Sequence, residues 1–424
     1  MLSVGQLTTA VGSSYLWQAI KRPFQSASRT QQALLAAHIR NAERVVARSK
    51  ELRGAFMKLA QMLSMRTDVF PAEALEVLSV VQSSAPPMPY ERVRAMLVEE
   101  LGAPPERKFR RFEREAFAAA SLGQVHRAEL ESGETVAVKV QYPGVAATVQ
   151  QDVKNLKALL RAFAGIARDV MRQDVDPGEV AAELEARLAE ELDYAHEASN
   201  LERFRHLLAD DREVMIPRVH RALSTRRVLT MEYLEGYPIQ DILAPGVDQE
   251  LKDWVGVKIF RLLWRQVLEF GVLHTDPHPG NYLVTHHPRL GILDFGSVRI
   301  FEPPIRDAYS RLARALLAHD EREIGAACVD LGFIDAAQDP APLVRMMHIV
   351  CEPLEHDRAF DPRDYDVMGR GRQVTQLALE HRLFRTPGHQ VFLFRALVGA
   401  DAYLKALGPV RNWHRLFREI VESL

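Results

Sequence analysis

Two short runs carry residues whose types and spacing could do chemistry: His274-Thr275-Asp276-Pro277-His278-Pro279-Gly280-Asn281 and Leu290-Gly291-Ile292-Leu293-Asp294-Phe295-Gly296. A carboxylate stands five residues before an asparagine on a loop after an apolar helix, and an apolar strand ends in Asp-Phe-Gly 13 residues beyond that asparagine. This is the arrangement of a phosphoryl-transfer site. Asp276 would orient or deprotonate the acceptor, while the Asn281 amide oxygen and the Asp294 carboxylate would hold Mg²⁺ against the phosphates of ATP. Turn sequences also collect Asp, Pro, Gly and Asn without any chemistry. Four fixed identities in order, at Asp276, Asn281, Asp294 and Gly296, outweigh that reading. His274 and His278 beside two aspartates could suggest another metal site, but the hard oxygen ligands already account for a cation, and His274 stands where a kinase-type loop keeps a structural histidine.

Lys139 supplies a second part. It lies in the run Thr135-Val136-Ala137-Val138-Lys139-Val140-Gln141, 137 residues before Asp276, and its apolar neighbours argue for a buried strand from which the ammonium would reach phosphate oxygens. A lysine in a strand is more often a solvated edge charge; the Asp-Phe-Gly run downstream tips the balance. Such a lysine needs a carboxylate to hold it. Glu191, Asp193 and Glu197 are the candidates, although acidic runs on helices usually face water. Between the first two strands, where a protein kinase carries a glycine-rich loop, the chain reads Ala118-Ala119-Ala120-Ser121-Leu122-Gly123-Gln124. Alanine is stiffer than glycine, so this loop should move less. After Gly296 only about ten residues precede a helix beginning near Pro304 and Ile305, which leaves little loop to bind a peptide.

The elements that must position these residues follow from periodicity. Apolar residues recur at three and four residue steps from Gln31 to Met65, predicting an amphipathic helix, and further helices are expected over Ala72 to Val81 and Tyr90 to Leu101. Gly102, Pro104 and Pro105 mark a boundary. The period then drops to two, giving strands over Phe109 to Phe117, Gln124 to Leu130 and Thr135 to Gln141. Helical patterns over Val145 to Met171 and Pro177 to Leu208 lead to strand-like runs at Val219 to Ala222 and Arg227 to Glu232, and a second break falls at Gly236 and Pro238. Beyond it come an apolar helix (Leu251 to Phe270), short strands near Tyr282 to Val284 and Gly291 to Leu293, and helices to the end.

Composition bounds the partners. Hydrophobic residues at 47% and charged residues at 26% belong to a globular chain and exclude a disordered or collagen-like one. With 54 Lys+Arg against 56 Asp+Glu there is no basic field to suggest nucleic acid. The run Arg107, Lys108, Arg110, Arg111 and Arg114 reads as the solvated face of a strand. Cys328 and Cys351 form neither a disulfide framework nor a metal-ligand spacing, which points to a reducing, cytoplasmic setting. Met1 to Ile20 lacks a basic leader region, and no window holds 18 consecutive apolar residues, so neither a signal peptide nor a span is expected. Tyr15, Leu16 and Trp17 followed by Lys21 and Arg22 could rest at a membrane surface, which leaves peripheral contact open.

Between Ala55 and Leu317 the chain resembles the UbiB family of atypical kinases, also called the aarF-domain-containing kinases. The resemblance rests on Lys58-Leu59-Ala60-Gln61-Met62-Leu63-Ser64, the Ala118 to His126 run, Val138-Lys139-Val140-Gln141-Tyr142-Pro143-Gly144, Glu191-Leu192-Asp193-Tyr194, and the two runs named first. It implies an α+β, bilobal protein-kinase-like fold with a small antiparallel sheet lobe, a helical lobe and an N-terminal helical extension that packs over the active site through a KxGQ motif. It also implies a link to isoprenoid quinone (ubiquinone) biosynthesis or lipid homeostasis, and ATPase activity rather than ordinary protein kinase activity. Carried over by residue, Lys139 becomes the phosphate-binding lysine and Glu191 its partner, Asp276 the catalytic base, and Asn281 and Asp294 the Mg²⁺ ligands. Lys58 and Gln61 match the KxGQ lysine and glutamine, and Asp193 the second acid of the family's ExD motif. Ala118, Ala119, Ala120 and Ser121 would line the nucleotide, and Glu232, Tyr233 and Leu234 would offer backbone groups to adenine. One departure stands at Ala60, where the family has glycine.

These readings divide the chain into a flexible terminus (1–30), a helical extension (31–105), a kinase-like N-lobe with a helical insertion (106–235) and a C-lobe (236–424). The leading expectation is an ATP- and Mg²⁺-dependent atypical kinase or ATPase acting on a small-molecule or lipid acceptor, with no nucleic-acid partner. A small-molecule kinase of the aminoglycoside or choline type shares the Asp to Asn spacing but not the alanine-rich and KxGQ runs. A nucleotide-binding pseudokinase scaffold is the non-enzymatic rival. No missing residue at Lys139, Asp276, Asn281 or Asp294 favours it.

Overall fold

The structure, a computed structural model, describes residues 88–120, 122–146, 185, 189–381, 383 and 387–424. Lys58, Gln61 and Ser121 lie outside these residues, as do the helices expected from Gln31 to Met65 and from Ala72 to Val81 and most of the helix expected after Val145. The described chain divides into two compact units: one holds the residues up to Ser199 with Arg218–Tyr233, and the other Asn200–Pro217 with Leu234–Leu424.

The first unit is built on an antiparallel sheet. Its elements are α1 (Tyr90–Leu101), α2 (Pro105–Lys108), β1 (Arg111–Phe112), β2 (Ala118–Ala120), β3 (Gly123–Glu129), β4 (Thr135–Gln141), the start of α3 (Tyr194–Leu207), and a strand (Val228–Glu232) numbered β6 because β5 (Val214–Met215) belongs to the second unit. The sheet order is β1-β3-β4-β6, with β2 also on β3. Helix α1 ends where Gly102 adopts φ 72° and its amide donates to the Val98 carbonyl, a conformation that costs glycine little. Its Val93, Met96 and Leu97, one helical face, pack with Val136, Val138 and Val140 of β4. Alternation then turns Ala137, Lys139 and Gln141 to the opposite face, and these too are buried. So β4 is covered on both sides, which explains its unbroken apolar reading.

Two strand expectations are corrected. The run from Phe109 to Phe117 yields only the two-residue β1: a helical turn with proline at its first position occupies Pro105–Lys108 ahead of it, and the chain bends at Arg114, Glu115 and Phe117 after it. Val219 makes a single bridge to Met231, and Arg221–Leu223 then closes into a 3-10 turn instead of extending a strand.

The second unit is mostly helical. It contains β5, β7 (Tyr237–Pro238), α4 (Ile239–Ile242), α5 (Gln249–Trp264), β8 (Val272–His274), β9 (Tyr282–Val284), β10 (Leu290–Ile292) and β11 (Val298–Ile300). Helices α6 (Pro303–Ala318), α7 (Glu321–Asp330), α8 (Ala341–Glu355), α9 (Val367–His381), α10 (Gly388–Leu407) and α11 (Trp413–Glu422) follow. One short sheet runs β5-β10-β9-β7 and a second pairs β11 with β8. Helix α5 packs on α10 and α11, where Phe260 meets Trp413 and Trp264 meets Phe417 with ring centroids 4.9 and 4.8 Å apart. The helix expected to reach Phe270 changes character: Arg265–Phe270 widens into a π-helical turn that ends at Gly271 with φ 60°. Such turns are frequent where helices border functional sites, and here the turn leads directly into β8 and the motif loop. Among the described residues no helix is long and apolar enough to cross a membrane.

Candidate active site

In the first unit the site is built around Lys139. From the centre of β4, paired to Val125 on one side and Leu229 on the other, its ammonium donates to both oxygens of Glu197 at 2.9 and 2.8 Å. Both side chains are almost fully buried, at 7% and 3% exposure, so neither charge has water to fall back on. The Tyr194 ring lies 4.9 Å from the ammonium and adds a cation–π contact.

The lysine's carboxylate is therefore Glu197, where the resemblance had assigned Glu191. The reason is local. A helical stretch ends at Glu191, Leu192 turns, and Asp193 starts α3 by accepting from the Ala195 and His196 amides at 3.0 and 3.3 Å. Glu191 lies before that break, whereas Glu197 sits in the first turn of α3, where the helix N-terminus favours a negative charge. Gln141 fixes the break by donating to the Leu192 carbonyl at 2.8 Å. Asp193, expected to hold the extension, also forms an ion pair with Arg226 at 3.3 Å.

The alanine-rich run is a hairpin rather than an open loop: Ala118, Ala119 and Ala120 pair with Val125, Gln124 and Gly123. A side chain at Gly123 would place its Cβ 2.3 Å from the Val140 carbonyl oxygen, so only glycine allows β3 to approach β4 this closely. Beside it, buried Gln124 accepts from the Met88 amide at 2.6 Å and reaches His126, whose Nδ1 bonds the Glu113 carbonyl. Burial pushes His126 below the usual histidine value. At the end of β6 the amides of Glu232 and Tyr233 are committed to the carbonyls of Arg218 and Thr135.

In the second unit the motif loop is braced from several sides. Gln266, from the π-helical turn, accepts from the His274 amide at 2.7 Å. Nε2 of His274 bonds the Asp294 carbonyl at 2.8 Å, and burial lowers the imidazole's proton affinity, so this histidine is a structural tie. Phe295 is fully buried against Phe204 and His274, and Asn200 donates to its carbonyl at 3.0 Å. The amide of Asn281 donates to the Asp276 carbonyl at 3.1 Å and to Oδ2 at 3.3 Å, which leaves its Oδ1 for a cation. Asp294 Oδ1 accepts from the Gly296 amide at 2.9 Å. Asn281 and Asp294 thus fit a hard cation such as Mg²⁺ that keeps waters and phosphate oxygens as its other ligands. Among the described residues no group of three His, Cys, Asp or Glu side chains converges. His278 accepts from the Gly280 amide at 3.0 Å.

Sequence reasoning missed Gln266 and Arg395. Arg395 of α10 donates to Asp276 Oδ1 at 2.7 Å. It lies 119 residues downstream in an apolar helix, and no spacing rule connects the two.

A strand lysine buried against a helix glutamate, together with an Asp…Asn…Asp-Phe-Gly loop on a helical unit, defines a protein-kinase-like fold of atypical loop design. Residues 80–328 match the family described as the ABC1 atypical kinase-like domain. The chain is 31% identical to "Atypical kinase COQ8, mitochondrial" of Saccharomyces cerevisiae over 98% of its own length and 83% of the relative's. It is 32% identical to "Atypical kinase coq-8, mitochondrial" of Caenorhabditis elegans over 90% of its length but spans only 51% of that protein. Among solved structures, "The complex structure of Rv3197-erythromycin from Mycobacterium tuberculosis" superposes with a TM-score of 0.63 at 25% identity, covering 93% of this chain and 98% of that one. The chain belongs to the ABC1 family of atypical kinases, the UbiB or aarF group whose motifs it carries.

Proposed function

We propose that the protein is an ATP- and Mg²⁺-dependent atypical kinase or ATPase that supports isoprenoid quinone biosynthesis or lipid homeostasis through a small-molecule or lipid acceptor. The observation that carries this reading is the intact Lys139–Glu197 pair, buried at a cost that a purely structural sheet has no need to bear. Lys139 would bind phosphate oxygens while Glu197 holds it in place. The Leu234 amide, with its two neighbours committed, would meet adenine. Ala118, Ala119, Ala120 and Ser121 would cover the nucleotide, and Asn281 Oδ1 and Asp294 would hold Mg²⁺, which neutralises charge developing on the phosphates. Asp276 would orient the attacking hydroxyl or water. Lys58, Gln61 and Asp193 would serve the extension's attachment, and any membrane contact would be peripheral.

Catalysis on this reading is positioning plus charge neutralisation. Purified protein should release phosphate from ATP, Lys139→Met should lower turnover at least about a hundredfold, and anionic-lipid vesicles should stimulate the wild type. Equal turnover in Lys139→Met would contradict the assignment; unstimulated but Lys139-dependent turnover would remove the lipid coupling alone. A second reading, phosphorylation of a hydroxyl-bearing small molecule, draws on the erythromycin complex of the solved relative. Label from γ-labelled ATP appearing on added erythromycin would favour it.

A further inference from the structure

Arg395 stands out among the described residues because of what it gives up. Its side chain is only 17% exposed, and its one hydrogen bond runs from Nη2 to Asp276 Oδ1 at 2.7 Å. Its Nε is buried with no hydrogen-bond partner among the described residues. Buried donors in native proteins are nearly always satisfied, and an orphan asks for a reason other than stability. The rest of α10 is shaped to the same loop. A Cβ at Gly399 would come within 2.1 Å of the Pro277 ring, so only glycine lets the helix lie this close. Tyr403, one turn further, donates to the Pro277 carbonyl at 2.9 Å. With Asn281 on Oδ2 and Arg395 on Oδ1, the Asp276 carboxylate is gripped at both oxygens, so its plane and reach are set by α10 as well as by its own loop.

We propose that Arg395 is a positioning residue for phosphoryl transfer: α10 uses it, seated by Gly399 and Tyr403, to fix the orientation of the Asp276 carboxylate. The inference rests on the ATP-turnover reading above. A guanidinium presents a planar donor edge that sets an angle as well as a distance, which the point charge of lysine does not. A carboxylate released at one oxygen can rotate, and small misplacements of a reacting group cost up to about a hundredfold in rate.

The test compares the steady-state kinetics of wild type, Arg395→Gln, Arg395→Lys and Arg395→Ala, with thermal midpoints for each. Loss of turnover in Asp294→Asn establishes first that the activity belongs to this site; a wild type without turnover would sink the functional reading rather than this one. Arg395→Gln should lower kcat about 10- to 100-fold while KM for ATP stays within about twofold. Arg395→Lys should recover only part of the loss, and added guanidinium ion should restore turnover to Arg395→Ala but not to Asp276→Asn. Two results would overturn the inference. One is wild-type kcat in Arg395→Gln. The other is a loss that tracks the thermal midpoint and KM and that guanidinium does not rescue, which would make Arg395 a packing brace only.

Discussion

At the scale of single residues the energetics are dominated by charges held away from water. Removing one partner of a buried ion pair leaves the other uncompensated, so Lys139→Met should destabilise the protein by about 3–5 kcal/mol, and Lys139→Met with Glu197→Leu should recover much of that. Urea unfolding of the two single variants and the double variant checks this; additive losses would show that the charges do not depend on each other. His126 gives the pH dependence a sign. Burial holds its pKa below the ordinary 6.5, so between that value and its folded value the unfolded chain binds a proton that the folded chain refuses. Stability from this group is therefore complete above pH 6.5 and is lost as pH falls below it. His126→Gln should lower the urea midpoint at pH 7 yet flatten its decline toward pH 5. An unchanged slope would place the acid sensitivity elsewhere.

Elements show how the site residues are held in place, and which parts of that were legible beforehand. Gly123→Ala should force β3 away from the Val140 carbonyl and weaken ATP binding more than it lowers the thermal midpoint, as isothermal titration beside a melting curve would show. The limits of α1 and β4 could be read directly, because local periodicity and the terminating Gly102 decide them. The identity of Glu197 could have been read too: Tyr194, Glu197, Ala198, Leu201 and Phe204 form one buried stripe on α3, and a carboxylate in such a stripe needs a cation. The acidic spacing offers Glu191, Asp193 and Glu197 alike, and it is the resemblance that singles out Glu191. Nothing local could have revealed Arg395 or Gln266, since each acts on a loop that only tertiary packing brings to it. The π-helical turn was hidden as well, because its sequence continues the apolar pattern of α5.

At the scale of the whole molecule, ligand binding and folding are linked. A nucleotide that binds the folded chain and not the unfolded one stabilises it by mass action, by about 2.7 kcal/mol at a hundredfold excess over Kd. Mg²⁺ with ATP should therefore raise the thermal midpoint, and ATP with a chelator should raise it less. In the proposed function Asn281 and Asp294 hold the cation for phosphoryl transfer. The most direct measurement is phosphate release from ATP as Mg²⁺ is titrated, for wild type and Asp294→Asn at matched folded fractions. Turnover in the wild type should saturate with Mg²⁺, and the variant should show none above background. Equal, Mg²⁺-dependent turnover in both proteins would contradict this role.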